Sequence, residues 1–400
     1  MKRLFKDCSL SALIAGVIAT LISYAGPLVI VFHAAQSAQL SPHMLSSWVW
    51  AISIGSAVLG AVLSLRYRVP VVIAWSIPGS ALLVGALPQI GINQAVGAYL
   101  VANVILLLVG VTGAFDRIIE RLPGSIAAGM QAGILFAFGI EVFRALPVQP
   151  GLVLGMFITY IVMRRFWPRY AVAGVLLVGV ALTLSGGELR TEALVFEWAT
   201  PQWISPEFSL SATLSLALPL VLVALTGQFM PGMAVLRTAG YTTPASPIIS
   251  STAIGGLLLA PFGCHGLNLA AVTASLCAGK EAHENPRRRY IAALSGSAAY
   301  LLFGIAGATV ISVFEAFPTA LITALAGLAL YGAISDALVR SLSEPQERDA
   351  GLFTFLVTAC GVSFLGLSSA FWGLLFGLLV HVLNIARRPV VAPESVAADE

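Results

Sequence analysis

The feature that most constrains this sequence is a succession of apolar runs, 13 to 25 residues long and almost free of charged residues. An α-helix of about 20 residues matches the hydrocarbon thickness of a bilayer. Of the whole chain, 58% is hydrophobic and 10% is charged, whereas about a quarter of the residues of an ordinary soluble domain are charged. We therefore predict a polytopic membrane protein.

Fourteen such runs follow one another along the chain. They form two groups of seven, separated by a polar stretch, residues 186–209, whose tryptophans are typical of a loop at headgroup level. The first run is too long for a signal peptide and lacks a convincing cleavage site, so we interpret it as a retained span. The predicted spans are 10–32, 45–65, 69–87, 93–114, 124–140, 151–163 and 171–185, then 210–230, 246–259, 261–278, 290–314, 318–334, 351–365 and 370–385.

The distribution of basic residues supports this count. With the N-terminus in the cytoplasm and fourteen alternating spans, every Lys and Arg except Arg144 and Arg190 falls on the cytoplasmic side. This segregation is the positive-inside bias of a correct topology. We therefore predict an all-α polytopic protein of the bacterial-type inner membrane, with both termini in the cytoplasm and a disordered tail at residues 389–400.

Spans 3 and 10 are interrupted by residues that break helices. Residues 70–80 contain prolines and small residues, and residues 261–268 contain proline, glycine, histidine and asparagine inside about forty residues without a charge. Irregular backbone at membrane depth is tolerated only where it is buried in protein or lines a watery cavity. Each break is predicted to be a short strand that leads into a half-helix, with Pro78 in the first turn of one and Asn268 at the cap of the other.

Matched breaks in two groups of seven spans predict inverted repeats, because an odd number of spans reverses the orientation of the second group. Residues 23–27 also align weakly with 227–231, and residues 121–133 with 317–327. Apolar segments rich in Gly, Ala and Pro align by chance, so the prediction depends mainly on topology and on the two breaks. Such paired breaks indicate the central binding site of a secondary transporter.

The predicted guest of this site is an anion. The N-termini of two half-helices would direct their N–H groups and positive dipole ends at the midplane, and the spans hold essentially no Lys or Arg away from their ends. A carboxylate therefore fits. Acidic residues near a span lie toward its ends, so no carboxylate is predicted to relay protons at the midplane; these residues are Glu141, Glu315 and Asp336.

Three polar side chains near the breaks are the leading candidates. His265 either contacts the carboxylate and carries a proton, since histidine titrates near neutral pH, or is satisfied by main-chain groups. Asn268 either binds ligand or caps the half-helix. Gln228 is an amide in an apolar helix, which favours ligand contact over a hydrogen bond between helices.

Other candidates surround these three. Small residues allow close approach of the backbone to a ligand, and Trp75 or Phe229 has the ring needed to stack on an aromatic substrate, although either could simply pack. Gln131 and Tyr331 carry less weight. The remaining predicted site residues are Ser23, Tyr24, Ser76, Gly79, Ser80 and Gly266.

Metal, cofactor and enzyme functions are not predicted. The four cysteines, Cys8, Cys264, Cys277 and Cys360, lack CxxC spacing, which argues against a disulfide framework or a metal cage. The loop 280–289, with one histidine and several arginines, is interpreted as solvated. No span carries paired carboxylates or a nucleophile with an evident base, so an enzyme is the least favoured class.

Several segments of the sequence resemble the benzoate:proton symporters (BenE type), a family within the group with the uracil-permease-like fold. The resemblance covers nearly the whole chain, and Cys264 stands where that family's motif has glycine. The segments that carry it are Pro261-Phe-Gly-Cys-His-Gly-Leu-Asn-Leu-Ala-Ala-Val-Thr-Ala274, Gly279-Lys-Glu-Ala-His283 with Arg287-Arg288, Pro231-Gly-Met-Ala-Val-Leu-Arg-Thr-Ala-Gly-Tyr241, and Ser9-Leu-Ser-Ala-Leu-Ile-Ala-Gly16.

The resemblance implies a core domain, residues 1–122 and 210–314, and a gate domain, residues 123–209 and 315–388. It further implies that a small aromatic carboxylate binds between the strands of spans 3 and 10 and enters with protons by alternating access. It allows a homodimer, with the lipid bilayer as surroundings and no nucleic-acid partner. The alternatives are another small anion or a nucleobase carried by the same fold, and a passive anion channel that ignores a pH gradient.

Overall fold

The computed structural model describes residues 7–386, and they are mostly helical. Two short strands interrupt the helices. The elements are α1 (Leu10–Ala25), α2 (Pro27–Ser37), α3 (Pro42–Tyr67), β1 (Ile73–Trp75), α4 (Ile77–Thr112), α5 (Phe115–Arg121), α6 (Gly124–Arg144), α7 (Pro150–Phe166), α8 (Ala171–Gly186), α9 (Leu210–Thr238), α10 (Ala245–Leu259), β2 (Leu267–Leu269), α11 (Val272–Ala278), α12 (Tyr290–Ile305), α13 (Gly307–Ala316), α14 (Thr319–Ser343), α15 (Arg348–Ala359) and α16 (Ser369–Ala386).

Within residues 7–386, seven helical stretches are long and apolar enough to cross a membrane. An eighth is obtained if α12 and α13, which meet at a bend of 75°, are counted as one span. Helices α8 and α16 are apolar but shorter. The chain is therefore a mostly helical polytopic membrane protein, while the count of fourteen spans and the inverted repeat stay predictions.

Two helical breaks follow directly from glycine and proline. Gly26 ends α1, and Pro27 begins α2, where its missing N–H is tolerated. Helix α4 would measure about 54 Å if it were straight, well beyond a hydrocarbon core of about 30 Å. It is broken at Gly91, whose φ is 73° and ψ is 165°. The two parts of α4 thus match the end of predicted span 3 and predicted span 4.

One group of helices packs around α12, which contacts α1 and α3. A β-carbon on Gly16 of α1 would lie 2.0 Å from the Ala292 carbonyl oxygen, and Thr20 Oγ1 donates to the Gly296 carbonyl at 3.0 Å. Small residues and one side-chain hydrogen bond therefore let α1 and α12 cross closely, as is usual between membrane helices.

A second group of helices packs around α6, which contacts α14, α15 and α16. Here too glycines allow close approach: a β-carbon on Gly129 or Gly327 would lie 2.4 Å from the main-chain oxygen of Gly351 or Phe138. The two groups match the residue ranges expected of the core and gate domains. The division into those domains stays a prediction.

Some predictions concern residues that the structure does not describe. The expected disordered tail, residues 389–400, lies outside residues 7–386. So do several basic residues used to assign the topology: Lys2, Arg3, Lys6, Arg387 and Arg388.

Candidate functional site

Strands β1 and β2 form a two-stranded antiparallel sheet. The register places Ala74 opposite Asn268 at its centre, and every residue of both strands is buried. Both sequence-predicted breaks thus contain the expected short strand. The two interrupted spans meet through main-chain hydrogen bonds, which satisfy backbone groups that have left the helical path.

The first break is specified by local contacts. Ser76 caps α4: its Oγ accepts a hydrogen bond from the Gly79 N–H at 3.0 Å, and Pro78 lies in the first turn, where proline is favoured. On the other side of β1, Ser64 Oγ donates to the Val71 carbonyl at 3.0 Å and accepts from the Val71 N–H at 3.1 Å. The strand is therefore fixed at both ends.

The second break is shaped by glycine. Gly263 has φ +100° and Gly266 has φ +148°, conformations that residues with a side chain rarely adopt. Cys264, where the resemblance led us to expect glycine, is not among the described residues with positive φ. Its side chain is fully buried, so the cysteine is accommodated without backbone strain.

His265 connects the two breaks. Its Nδ1 accepts a hydrogen bond from the Trp48 indole N–H at 3.0 Å, and its Nε2 lies 2.9 Å from Ser80 Oγ. Because Nδ1 is an acceptor, Nε2 carries the proton and donates to Ser80 Oγ, and the Ser80 hydroxyl donates to the Ser76 carbonyl at 2.9 Å. The imidazole is thereby held as one neutral tautomer.

This network favours a structural role for His265. The residue is 3% exposed, and a proton added at Nδ1 would displace the Trp48 hydrogen bond. Its partners are mainly the side chains of Trp48 and Ser80, rather than the main-chain groups expected from the sequence. Nothing in the sequence marks Trp48, one tryptophan in an apolar run. Proton transfer by His265 stays a prediction.

Asn268 is the polar side chain of β2. It is 2% exposed, and its Oδ1 accepts no hydrogen bond from any residue that the structure describes. A buried acceptor without a partner destabilises a protein by about 1–3 kcal/mol, so such a group suggests a ligand or a water. The unpaired oxygen of Asn268 therefore indicates ligand contact.

The prediction that Asn268 caps the half-helix of span 10 is wrong. Asn268 lies inside β2, and α11 begins at Val272 with Ala271 at the capping position. This helix has 7 residues, so its dipole contributes less to anion binding than the sequence led us to expect. Thr273 in its first turn has a buried hydroxyl without a partner among the described residues.

Tyr24 and Trp75 lie in an aromatic cluster together with Tyr300 of α12. The Trp75 ring meets Tyr24 and Tyr300 edge-on, with centroid distances of 5.7 Å and 5.9 Å, a favourable geometry for aromatic pairs. Trp75 is 2% exposed and Tyr24 is 6% exposed. Ser23 donates to a main-chain carbonyl one turn earlier in α1. Stacking of Trp75 on a substrate ring stays a prediction, because protein covers the ring here.

Gln228 lies in a π-helical segment of α9, Leu225–Phe229. Such segments are frequent at functional sites, and this one packs against both β2 and α6. Gln228 is 9% exposed, and its side chain forms no hydrogen bond within residues 7–386. The structure therefore brings the Gln228 segment next to the strand of Asn268. Phe229, at the end of the segment, is fully buried.

Gln131 of α6 faces the same π-helical segment. Its Oε1 lies 3.2 Å from the position that a β-carbon would take on Gly227, and the residue is 8% exposed. Three amide side chains, Gln131, Gln228 and Asn268, thus come from three elements in contact. Gln131 was only a minor candidate from the sequence, since a glutamine one-third of the way along a span has no distinguishing pattern.

Arg289 closes the C-terminal end of α11. It is 5% exposed; its Nη1 donates to the Ala278 carbonyl at 2.8 Å and its Nε to the His283 carbonyl at 2.7 Å. A cation at a helix C-terminus is stabilising. The interpretation of loop 280–289 as simply solvated is therefore wrong for Arg289, which folds inward and fixes the half-helix that follows β2.

Amide and hydroxyl groups, rather than charges, surround the two strands. Asn268 Oδ1, Thr273 Oγ1 and Trp75 Nε1 are all buried without a partner in the described part of the chain. No cluster of three or more His, Cys, Asp or Glu that could hold a metal ion is found among residues 7–386. Such a site suits a small molecule that offers both hydrogen-bond donors and acceptors.

A protein family described as "Benzoate membrane transport protein" matches residues 6–383. The chain belongs to this family. Two relatives extend the match. The benzoate membrane transport protein of Acinetobacter baylyi (strain ATCC 33305 / BD413 / ADP1) is 49% identical over 383 residues, which cover 96% of this chain and 97% of the relative.

The second relative is the inner membrane protein YdcO of Escherichia coli (strain K12). It is 39% identical over 371 residues, which cover 93% of this chain and 95% of the relative. As a member of the benzoate membrane transport family, the chain is a membrane transporter and not an enzyme.

Two solved structures have folds similar to that of this chain. SLC26A9 aligns with a TM-score of 0.62 and 12% identity, over 93% of this chain and 65% of that chain. The transmembrane domain of the cyanobacterial bicarbonate transporter BicA aligns with a TM-score of 0.59 and 12% identity, over 92% of this chain and 97% of that chain. At such identities the likeness shows the fold alone.

Proposed function

We propose that this chain imports benzoate or a similar aromatic carboxylate together with protons. Its family and its 49% identical relative are both described as benzoate membrane transport proteins, which supports the substrate class. The relative named an inner membrane protein supports the same location. Cytoplasmic termini and a homodimer are further parts of the proposal that follow from the sequence and the resemblance.

The observation that carries this proposal is the unpaired Oδ1 of Asn268 in β2. A side-chain amide places an acceptor oxygen beside donor N–H groups. A carboxylic acid group offers one donor and one acceptor with matching spacing, so the two groups can form a pair of hydrogen bonds. We therefore assign the substrate's carboxyl group to Asn268, with Gln228 of the adjacent π-helical segment orienting it.

The transported proton is assigned to the substrate itself. A carboxylate moved from water into a buried site is strongly destabilised, and protonation removes that penalty. No Asp or Glu is buried among the described residues, so no interior carboxylate competes for the proton. His265 is the alternative carrier, but it would have to give up its hydrogen bond with Trp48.

The remaining predicted site residues are assigned supporting roles. Ser76, Ser80, Gly79 and Gly266 set the path of the backbone at the two breaks, as their contacts and dihedral angles support. The apolar and aromatic residues are proposed to enclose the substrate ring when the site opens. They are Tyr24, Trp75 and Phe229, with Ser23 beside Tyr24 on α1.

Alternating access between a core domain and a gate domain is the proposed mode of movement, within fourteen spans arranged as two inverted repeats. The antiparallel pairing of β1 with β2 supports such a repeat. Ser368 Oγ, just before α16, donates to the Ser215 carbonyl of α9 at 2.8 Å. Under the predicted topology this contact lies on the outer side, where it joins the two domains.

Uptake of radiolabelled benzoate into proteoliposomes tests this function. An inward proton gradient should drive accumulation, and a protonophore that collapses the gradient should abolish it. Empty liposomes are the essential control, because a protonated weak acid crosses bilayers unaided. Accumulation that is equal with and without the gradient would indicate a passive pathway, and none above the empty control would exclude benzoate as substrate.

Asn268→Ala tests the site within the same experiment. We expect loss of uptake with normal folding. Asn103→Ala is the matched control, because Asn103 is also a buried amide with an unpaired Oδ1 but lies on α4 against Gly256. Equal loss in both variants would assign the effect to packing, and full uptake by Asn268→Ala would remove this residue from the site.

A further inference from the structure

Arg340 lies one turn before the end of α14 and reaches toward the π-helical segment of α9. Its guanidinium Nη2 donates to Gln131 Oε1 on α6 at 3.3 Å. The same Oε1 lies 3.2 Å from the position of a β-carbon on Gly227, which precedes Gln228. A continuous path of contacts therefore leads from an exposed arginine to the proposed substrate site.

The charge of Arg340 is not neutralised by the protein. Some of the described arginines have carboxylate partners, among them Arg144 with Glu141 at 2.7 Å and Arg288 with Asp7 at 3.3 Å. Arg340 forms no ion pair with any residue in the range 7–386. Asp336, one turn earlier, accepts from Arg340 Nε only through its main-chain oxygen, at 3.3 Å. The guanidinium is therefore free to bind an anion.

Gln131 holds this guanidinium by an acceptor that an anion can replace. A carboxylate oxygen binds a guanidinium more strongly than an amide oxygen does, and it can do so through two parallel hydrogen bonds. The guanidinium thus contacts a buried polar side chain inside α6, and polar or ionisable groups within membrane spans are by default candidates for a substrate pathway. The predicted topology puts this end of α14 on the cytoplasmic side.

We propose that Arg340 binds the substrate's carboxylate on the cytoplasmic side of the central site, in place of Gln131. Gln131 is then a positioning residue that holds the guanidinium at the inner mouth until the substrate arrives. The inference rests on the proposed transport of a carboxylate. It adds a second, charged binding position, the station, to a central site built from amides. At this station the substrate's carboxyl group releases its proton to cytoplasmic water, and the carboxylate that forms pairs with the exposed Arg340 guanidinium.

Arg340→Gln in membrane vesicles of both orientations tests this station. Uptake into right-side-out vesicles reports the outer face, and uptake into inside-out vesicles reports the cytoplasmic face, each against vesicles without the protein. The half-saturating benzoate concentration at the cytoplasmic face should rise about tenfold, the effect of losing one charge-assisted hydrogen bond. The value at the outer face should stay unchanged.

Arg348→Gln is the matched control. Arg348 begins α15, donates to the Leu342 carbonyl at 3.1 Å, and carries the same charge at the same end of the molecule, so its removal should leave both faces unchanged. A second variant, Gln131→Ala, keeps Arg340 but removes the amide that positions it. This variant should raise the half-saturating benzoate concentration at the cytoplasmic face by a smaller factor.

Four outcomes overturn the inference or its basis. If Arg340→Gln has the wild-type half-saturating benzoate concentration at both faces, the station is excluded. If this concentration rises equally at both faces, Arg340 acts through the fold or the central site. If Arg340→Gln does not fold, wild-type values for Gln131→Ala exclude the station instead. Absence of benzoate transport by the wild-type protein would refute the proposed function and not the anion contact, which chloride or another carboxylate would then probe.

Discussion

Ser80 Oγ of α4 and His265 Nε2 lie 2.9 Å apart, although 185 residues separate them in the chain. The hydrogen bond ties the half-helix of one broken span to the loop that precedes the strand of the other. Trp48 on α3 completes the contact at the opposite ring nitrogen. The imidazole thus joins α3, α4 and the loop before β2. These contacts support the register of the two strands in addition to their main-chain hydrogen bonds.

His265→Ala should therefore destabilise the protein. The change leaves the buried indole N–H of Trp48 without an acceptor, and an unpaired buried donor lowers the free energy of unfolding by about 1–3 kcal/mol. Thermal unfolding of the purified protein in detergent measures this loss. Ser37→Ala is a suitable control, since Ser37 bonds only to the preceding turn of its own helix; an unchanged melting temperature for His265→Ala would contradict the structural role.

His265→Gln separates structure from proton transfer. Glutamine can accept from Trp48 and donate to Ser80, but it does not titrate. If the proton travels on the substrate, folded His265→Gln should still accumulate benzoate in response to a proton gradient. A folded variant that transports without any response to the gradient would make His265 the proton carrier.

Asn268→Asp should lower uptake further than the loss of one hydrogen bond alone. The side chain keeps its shape, but an aspartate carboxylate has no N–H to donate to the carbonyl oxygen of the protonated substrate, and it adds a buried charge that the neutral substrate does not compensate. Uptake per folded molecule, compared with Asn103→Asp at the buried amide of α4, separates the lost hydrogen-bond donor from the general effect of a buried charge. Equal activity of the two variants would contradict the assignment of the carboxyl group to Asn268.

The elements that follow from local sequence were predictable. Charge-free runs, Pro78 and the glycines around His265 determine helices and breaks through short-range rules. The strands and their buried position follow from backbone that has left the helix inside a membrane. Cys264 looked anomalous only as a departure from a motif, because the sequence does not reveal its dihedral angles.

The contacts that define the site were not predictable in the same way. The partnership of Trp48 with His265 and the inward path of Arg289 depend on packing between distant segments, and no periodicity encodes them. The π-helical segment at Gln228 adds one residue to a helical turn, and the mostly apolar sequence of α9 has no regular polar stripe that would reveal this insertion. Asn268 was found as a candidate, but its place in a strand excluded the capping role.

Gly227→Ala should impair transport with little loss of stability. The new methyl group would lie 3.2 Å from Gln131 Oε1, so this amide would have to shift by a few tenths of an ångström where α6 meets the π-helical segment of α9. Gly85→Ala is the matched control, because a β-carbon there meets no atom within 4 Å. Benzoate uptake per folded molecule is the measurement. Equal uptake by both variants would show that close contact between Gly227 and Gln131 is not needed for transport.

Arg289→Gln should destabilise the half-helix α11 and lower uptake. The arginine loses charge-assisted hydrogen bonds to the Ala278 and His283 carbonyls, each contributing about 1.5–3 kcal/mol. Arg287→Gln removes the same charge from an exposed neighbour and should have little effect. Hydrogen exchange of residues 272–290 measures the loosening directly, and protection equal to that of the wild type would contradict the capping role of Arg289.

A disulfide between positions 215 and 368 should stop transport reversibly if the two proposed domains move against each other. Ser368 N–H donates to Ser215 Oγ at 3.2 Å, so cysteines at both positions are close enough to be joined. Ser215→Cys with Ser368→Cys, in a Cys360→Ser background that removes a nearby exposed thiol, should lose benzoate uptake on oxidation and regain it on reduction. Each single cysteine variant should be insensitive to both treatments. Full uptake by the cross-linked protein would show that the contact between α9 and the turn before α16 stays closed throughout the cycle, and the moving boundary would then have to lie elsewhere.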